Sequence, residues 1–375
     1  MNKSSFALNS LIVVVVFYLL VVGEALLLPF VIAVALWYLI NTLSNAIERL
    51  SLNSFPVKPV LARITALLVF ISMIWALVGF FGGRIDQVLE IFPLYQTNLT
   101  ARIEALPFFN FNFTFTQDRG MYQSLTEWID LPALATSVAA SFAGILASSG
   151  LIMIYILFLF LEQGNFDAKI TELFGAVGSE SNARKIIERI RSDIEKYITI
   201  KLATSSLTGI VSYVFLVLVG VDFPGVWGLL IFLLNFIPTV GSIIATIFPA
   251  LIALAQSDGY SLFLLVLAGI GILQIMIGNI LEPRLMGSSF NLSPIVILLN
   301  LGLWSYIWGI PGMFLCVPFL IILTIILSYF PQTRAIAIIL SSDGKLRAPP
   351  EEMIDGFQLT ALLDDSIMGS EKSEG

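Results

Sequence analysis

Apolar residues run along this chain in unbroken stretches of membrane length. Phe6–Val22, Leu26–Ser44, Leu61–Phe81 and Leu202–Val219 each read as a helical span, because roughly 20 apolar residues rising 1.5 Å each cover a hydrocarbon core of about 30 Å, and Leu131–Ala147 reads as a helix feeding a further span, the fourth, near Ser149–Leu161. Gly23-Glu24 is the tip of the first helical hairpin and Gly82-Gly83 ends the third span. A β-barrel would need short alternating segments, about ten residues each, and the long aliphatic runs exclude it.

Two further apolar stretches are too long for one upright crossing. Trp227–Ala255 holds about 29 residues, which a straight helix would extend to about 43 Å. Midway lies Asn235-Phe-Ile-Pro238-Thr-Val-Gly241, where the proline removes a backbone donor and the glycine offers positive φ without steric penalty. Pro294–Ser328 repeats both the excess length and the interruption, at Gly309-Ile-Pro311-Gly312, and each stretch carries Leu-Leu-Asn ahead of its break. Two broken helices are predicted. The first is expected to return as a hairpin to the side it entered from, with a tilted full crossing as the alternative. Between the two stretches Tyr260–Ile280 crosses, and Gly278–Pro294 forms a polar island holding Asn279, Glu282, Arg284 and Asn291. Such groups are costly at membrane depth unless paired or functional.

The expected architecture is an all-α integral membrane protein with about seven to eight transmembrane segments. Two of these are Pro/Gly-broken, re-entrant or discontinuous, and a helical extramembrane region separates the third span from the fourth. Residues 1–340 form the membrane domain and 341–375 an acidic tail expected to be disordered. Within the domain, 83–140 is read as an extracytoplasmic amphipathic region. Ile85, Val88, Leu89 and Phe92 form one helical stripe there, and Phe109–Thr116 alternates Phe with Asn and Thr. That segment suits packing against lipid or a neighbouring subunit, with an aromatic cargo patch as the alternative. Residues 162–201 read as a cytoplasmic helical region, since Arg184, Lys185, Arg189, Arg191 and Lys196 join Arg49, Lys58 and Arg63 in marking the positive side. Both termini are then cytoplasmic.

Composition narrows the chemistry. With 58% hydrophobic and 12% charged residues and a mean hydropathy of +0.94, the chain is a polytopic membrane protein. The formal charge of -7 is concentrated in the tail. There is no His, which removes imidazole proton shuttles and His-based zinc sites. The single Cys, Cys316, lies in an apolar run and reads as core packing. No Walker-type Gly-x-x-x-x-Gly-Lys loop occurs, so any transport is driven by an ion gradient or runs downhill. No cofactor, metal site, catalytic pair or nucleic-acid surface is indicated.

The pieces Asn235-Phe-Ile-Pro238-Thr-Val-Gly241, Asn279-Ile-Leu-Glu282-Pro-Arg284-Leu-Met-Gly287 with Leu292-Ser-Pro294, and Trp308-Gly-Ile-Pro311-Gly312-Met resemble, in order and spacing, the autoinducer-2 exporter family of bacterial membrane proteins. The resemblance covers roughly residues 6–340. It implies a polytopic inner-membrane transporter that assembles as a homo-oligomer, with a pentamer as the implied form, in the lipid bilayer. It leaves the cargo open, because similar members look like cation/proton antiporters.

Broken helices at membrane depth expose backbone groups that lipid cannot satisfy, so they line a cavity or are buried in protein. The cavity is expected to be walled by Asn235, Pro238, Thr239, Gly241, Asn300, Pro311 and Gly312. Gly271, Gln274, Gly278 and Glu282 share one arc of the preceding helix and line the same cavity or allow close packing. Asn279 and the interfacial pair Glu282–Arg284 complete the candidate pathway. The leading reading is a secondary exporter of a small polar metabolite or signalling molecule. A monovalent cation/proton antiporter using Glu282 is the alternative, and a non-transporting membrane scaffold a further one.

Overall fold

The computed structural model describes residues 3–50, 59–104, 144, 147–175, 180–287, 291–330 and 332–346. The Phe109–Thr116 alternation, most of Leu131–Ala147 and the acidic tail from 347 onward lie outside the described residues. Nearly everything described is helical. α1 spans Lys3–Val22, α2 Glu24–Leu50 and α3 Pro59–Glu104. α4 is Ser149–Glu162 and α5 is Phe166–Gly175, while α6, Glu180–Val219, merges the expected polar helix and fifth span into one element of 40 residues. α7 is Pro224–Leu234, α8 Val240–Gln256 and α9 Ser261–Gln274. A π-helical stretch, Ile275–Leu281, leads into α10, Glu282–Met286, followed by α11, Pro294–Tyr329, and α12, Arg334–Leu340.

Among the described residues, Glu24–Asn45, Ala183–Val219, Ser261–Met286 and Pro294–Tyr329 are long and apolar enough to cross a membrane. Val60–Ser72, Ser149–Asn165, Pro224–Leu234 and Val240–Gln256 are shorter apolar helices. The chain is a multi-pass membrane protein. One expectation fails in the N-terminal half: Gly82-Gly83 does not end the third helix, which continues to Glu104. A glycine inside a helix costs only about 1 kcal/mol, too little to stop one that runs on through Arg84-Ile-Asp-Gln-Val-Leu-Glu90, which holds neither proline nor further glycine.

Burial divides the helices into two groups. Ala33 and Ile40 of α2, Ala66 and Phe70 of α3, and Ile152 and Ile156 of α4 make a small N-terminal cluster. The larger core takes residues from α6, α7, α8, α9 and α11, together with Tyr95 from the far half of α3. α3 thus reaches from one group to the other. Its C-terminal turns are fastened there: the Tyr95 hydroxyl donates to Asp222 Oδ2 at 2.6 Å, Asn98 Nδ2 to the Ala255 carbonyl at 3.1 Å, and Arg102 pairs with Asp258 at 2.9 Å.

Both broken stretches fold back on themselves. In the first, the Asp222 backbone N–H donates to Gln256 Oε1 at 2.9 Å and Gln256 Nε2 donates to the Gly220 carbonyl at 2.8 Å. Asp222 and Gln256 are 34 residues apart, a separation that would be about 51 Å along a straight helix. α7 and α8 are therefore the arms of a hairpin. In the second, Asn300 Nδ2 donates to the Cys316 carbonyl at 2.6 Å across 16 residues, and Trp304 stacks on Phe319 with ring centroids 4.1 Å apart. The reversal falls at Trp308 (φ -129°, ψ 18°) and Gly309 (φ 58°, ψ -140°).

The hairpins enter from opposite ends of the bundle. The open end of α7–α8 sits beside Gly220, at the C-terminal end of α6. α10 and the end of α11 lie near the N-terminal half of α6, where Lys196 donates to the Met286 carbonyl at 3.1 Å and Arg189 reaches the Tyr329 hydroxyl at 3.4 Å. The tip of α11 meets α1 instead, through a 3.0 Å bond from Trp308 Nε1 to the Leu20 carbonyl. In mid-bundle Phe236, at the first tip, stacks on Phe314 of α11 with centroids 5.8 Å apart. The first residues of the expected tail are clipped to the island: Ser293 N donates to the Leu340 carbonyl at 2.9 Å, Leu292 pairs with Ser341, and Asn291 donates to Asp343.

Candidate functional site

The site begins with α6. Lys201, Thr204, Ser205, Thr208 and Ser212 recur at three- and four-residue intervals, which places them on one face of the helix. Lys201 is 6% exposed and the other four at most 1%. A polar stripe therefore faces protein on a helix whose outer residues, such as Ile210 and Val214, are aliphatic and exposed. Two hydroxyls turn back to the helix itself, Thr204 towards the Lys201 carbonyl and Thr208 towards the Thr204 carbonyl.

The first hairpin delivers its tip onto this stripe. Asn235, 4% exposed, donates from Nδ2 to Ser205 Oγ at 3.0 Å. α6 and α7 can approach closely because Gly209 and Gly228 face each other; a Cβ on either would come within 2.7 Å of a side-chain carbon of the opposite helix. The tip is tight for a different reason from the one expected. Gly241 does not supply the positive φ, which falls on Thr239 (φ 58°, ψ -60°). Gly241 is required by proximity, since a Cβ there would overlap the carbonyl oxygen of Leu234. Gly312 does the same in the second hairpin against the carbonyl of Trp304.

The Lys201 end of the stripe holds a buried ion pair. Lys201 Nζ donates to Glu282 Oε1 at 2.7 Å, and the Thr204 hydroxyl lies 3.3 Å from Oε2. The two charged side chains are only 8% and 13% exposed. This corrects the expected Glu282–Arg284 pair: Arg284 is exposed, because residues two apart on a helix point to opposite sides of it. The segment immediately before Glu282 is π-wound, a geometry that recurs at functional sites.

The remaining candidates divide. Gln274 is buried on α9 at 6% exposure and neither of its amide atoms has a partner. Asn279 and Thr239 are exposed and Pro238 is half-buried at the turn, so none of them belongs to the buried stripe. Asn300 and Gly312 hold the second hairpin closed, with the half-buried Pro311 just after its reversal, and do not face α6 through any hydrogen bond described above. Gly278 has open space about its Cα and Gly271 meets Thr246 only at ordinary contact distance, so neither glycine is needed for close packing. Lys201, Ser205, Thr208 and Ser212 were absent from the sequence-based pathway. Their signal was the hydroxyl run Thr204-Ser-Ser-Leu-Thr208, one helical turn after Lys201, in an otherwise aliphatic span.

An apolar helical bundle with a buried polar stripe, and with two broken helices meeting beside it, is the construction of a membrane transport protein. The chain belongs to the AI-2E family of transporters, whose pattern matches residues 10–332. It is 29% identical over 358 residues to the AI-2 transport protein TqsA of Escherichia coli K12, covering 92% of this chain and the whole of that one. A Haemophilus influenzae relative that also carries a transport-protein name is 29% identical over 281 residues, 74% of this chain and 80% of its own length. A Borreliella burgdorferi relative, named likewise, is 34% identical over 196 residues, 52% of this chain and 54% of its own.

Proposed function

We propose that this protein is a secondary exporter that carries a small polar metabolite or signalling molecule across a bacterial inner membrane, with the α6 stripe as its path. The reading is carried by one observation: five buried polar side chains, Lys201 to Ser212, line one face of α6 inside an aliphatic bundle, and the tip of a broken helix is bonded to one of them, Ser205. Polar groups are expensive there and mark solute pathways. The name of TqsA supports a signalling molecule as cargo. In this reading the two hairpins dip into the membrane from opposite faces without crossing it, and both termini are cytoplasmic, in keeping with the cation-rich loops.

Two hairpins that touch at mid-bundle divide the path into two halves, so a solute resting near Ser205 would be open to one face at a time. The vesicle experiment is direct. Purified protein is reconstituted and the uptake of labelled small polar metabolites is followed with and without a pH gradient. Saturable uptake above that of protein-free vesicles, reduced at least about tenfold by Asn235→Ala, is expected. Uptake equal to that of protein-free vesicles contradicts the proposal. A cation-dependent collapse of the pH gradient, with no metabolite flux, would favour the cation/proton antiporter instead.

A further inference from the structure

The buried ion pair of the stripe has the form of a receptor and its guest. Lys201 Nζ donates to one carboxylate oxygen of Glu282 at 2.7 Å and the Thr204 hydroxyl lies 3.3 Å from the other, so each oxygen meets its own donor. Both donors belong to α6, a single helix of 40 residues, and are buried. Glu282 belongs to α10, a helix of five residues set between the π-wound segment and Gly287, where φ is 59°. Asn279, Pro283, Arg284 and Leu285 around it are exposed, and Gly278 has open space about its Cα. Lys196 holds the far end of α10 through the Met286 carbonyl, so Glu282 can leave by rotation of its side chain with the helix still in place.

Charge decides what can take the place of Glu282. A buried ammonium without a partner is strongly destabilising, whereas the exchange of one anion for another keeps it paired throughout. A proton or a metal cation taken up by Glu282 would strip Lys201 of its counter-charge. An uncharged solute cannot neutralise Lys201 and leaves the pair shut. A phosphate monoester, at about −1.5 to −2 charge, would bring more negative charge than one ammonium offsets. A carboxylate brings a single charge and two acceptor oxygens, which match the two donors. Once displaced, Glu282 lies beside exposed residues and keeps its own charge in water.

Lys201 also stands in register with the rest of the stripe. Ser205 follows it by four residues on the same face, about 6 Å along α6, and carries the bond from Asn235. A carboxylate held at Lys201 therefore leaves the remainder of a small molecule beside Ser205 and the tip of the first hairpin, where hydroxyl or amide groups find partners.

Resting on the transport reading, we infer that Lys201 and Thr204 form a binding site for the carboxylate of a small hydroxy- or amido-acid, and that Glu282 fills it as a tethered stand-in which the cargo displaces. The test uses formate as the probe and the full-length protein in lipid nanodiscs, with thermal unfolding as the readout. Glu282→Ala empties the site. Sodium formate is expected to raise the midpoint of this variant saturably and to recover about half or more of its loss, while sodium chloride at the same concentration gives no saturable rise. Lys201→Met combined with Glu282→Gln lacks the ammonium and is expected not to respond. In the unmodified protein formate competes with Glu282, so the same fractional effect is expected at about tenfold or more higher concentration. No rise in Glu282→Ala, an equal rise with chloride, the same rise in the double variant, or an unmodified protein that responds as readily as Glu282→Ala or not at all each overturns the inference. If Glu282→Ala does not reach the membrane, Glu282→Ser carries the same measurements. Metabolite flux with no formate response overturns this inference alone, whereas a formate response without flux overturns the transport reading and leaves the carboxylate site standing.

Discussion

The two hairpins share a sequence plan and differ in what their asparagines do. Each has Leu-Leu-Asn before its break and a glycine after it that lets the returning arm touch a carbonyl of the first. In α7–α8 the asparagine sits at the end of the first arm and reaches outward, to Ser205 of α6. In α11 it sits two turns before the reversal and reaches across to the carbonyl of Cys316, holding the hairpin to itself and taking a further 3.1 Å bond from Trp304. The distance between asparagine and turn decides the outcome. An asparagine at the tip has no returning arm beside it, and one lower down does. The first hairpin is thus joined to the polar stripe, and the second closes on its own arms while its Trp308 anchors to α1.

This asymmetry can be broken in graded ways. The largest loss is expected where the stripe holds charge. Glu282→Ala leaves the buried Lys201 ammonium unpaired, which costs about 3–5 kcal/mol in thermal or denaturant unfolding. Lys201→Met with Glu282→Gln should recover most of that, and a double variant as unstable as Glu282→Ala would argue that the pair is not buried in the working protein.

Next come the two glycines, which test what the hairpins share. Gly241→Ala and Gly312→Ala each push a methyl group into a backbone carbonyl and are expected to cost about 1–3 kcal/mol. The same pair of variants tolerated without loss would mean that the arms are further apart than described. The asparagines test what differs. Asn235→Ala is expected to lower flux more than stability, while Asn300→Ala lowers stability by about 1–3 kcal/mol and leaves the solute concentration for half-maximal flux unchanged.

The smallest effect lies at the clip behind the second hairpin. The Lys345 backbone N–H and then the Asn291 amide hold the Asp343 carboxyl below its ordinary value of 3.8. A carboxylate shifted this way contributes fully above that ordinary value and loses its contribution as pH falls through the lowered one. Acid-dependent release of residues 341–346, read by hydrogen exchange, is therefore expected only below about pH 4, and Asp343→Asn should abolish that dependence.

Much of this was legible in the chain itself. Segment length against bilayer thickness predicted both breaks, because a helix of fixed rise cannot hide about nine surplus residues in the first stretch or about 15 in the second. Pro238 and Gly309–Pro311 located the reversals. What escaped depended on rotation. Sequence spacing alone does not say which face of α6 turns inward, so Lys201 reads as the last residue of the helical region 162–201 and not as the partner of Glu282. The π-winding before Glu282 has no side-chain signature, and Arg284, two residues further along α10, points to the opposite side of it. Gly82-Gly83 misled in the opposite sense, as a helix-ending pair inside a helix that continues to Glu104.

The central claim is that the tip of the first hairpin and the α6 stripe act as one unit on the solute. A double-mutant cycle on vesicle flux with Asn235→Ala and Ser205→Ala tests it, since the two side chains are joined by a 3.0 Å hydrogen bond. Each single variant is expected to lose about tenfold or more in flux, and the double variant no more than either alone. Losses that multiply, or flux at the unmodified level in all three, would contradict the account.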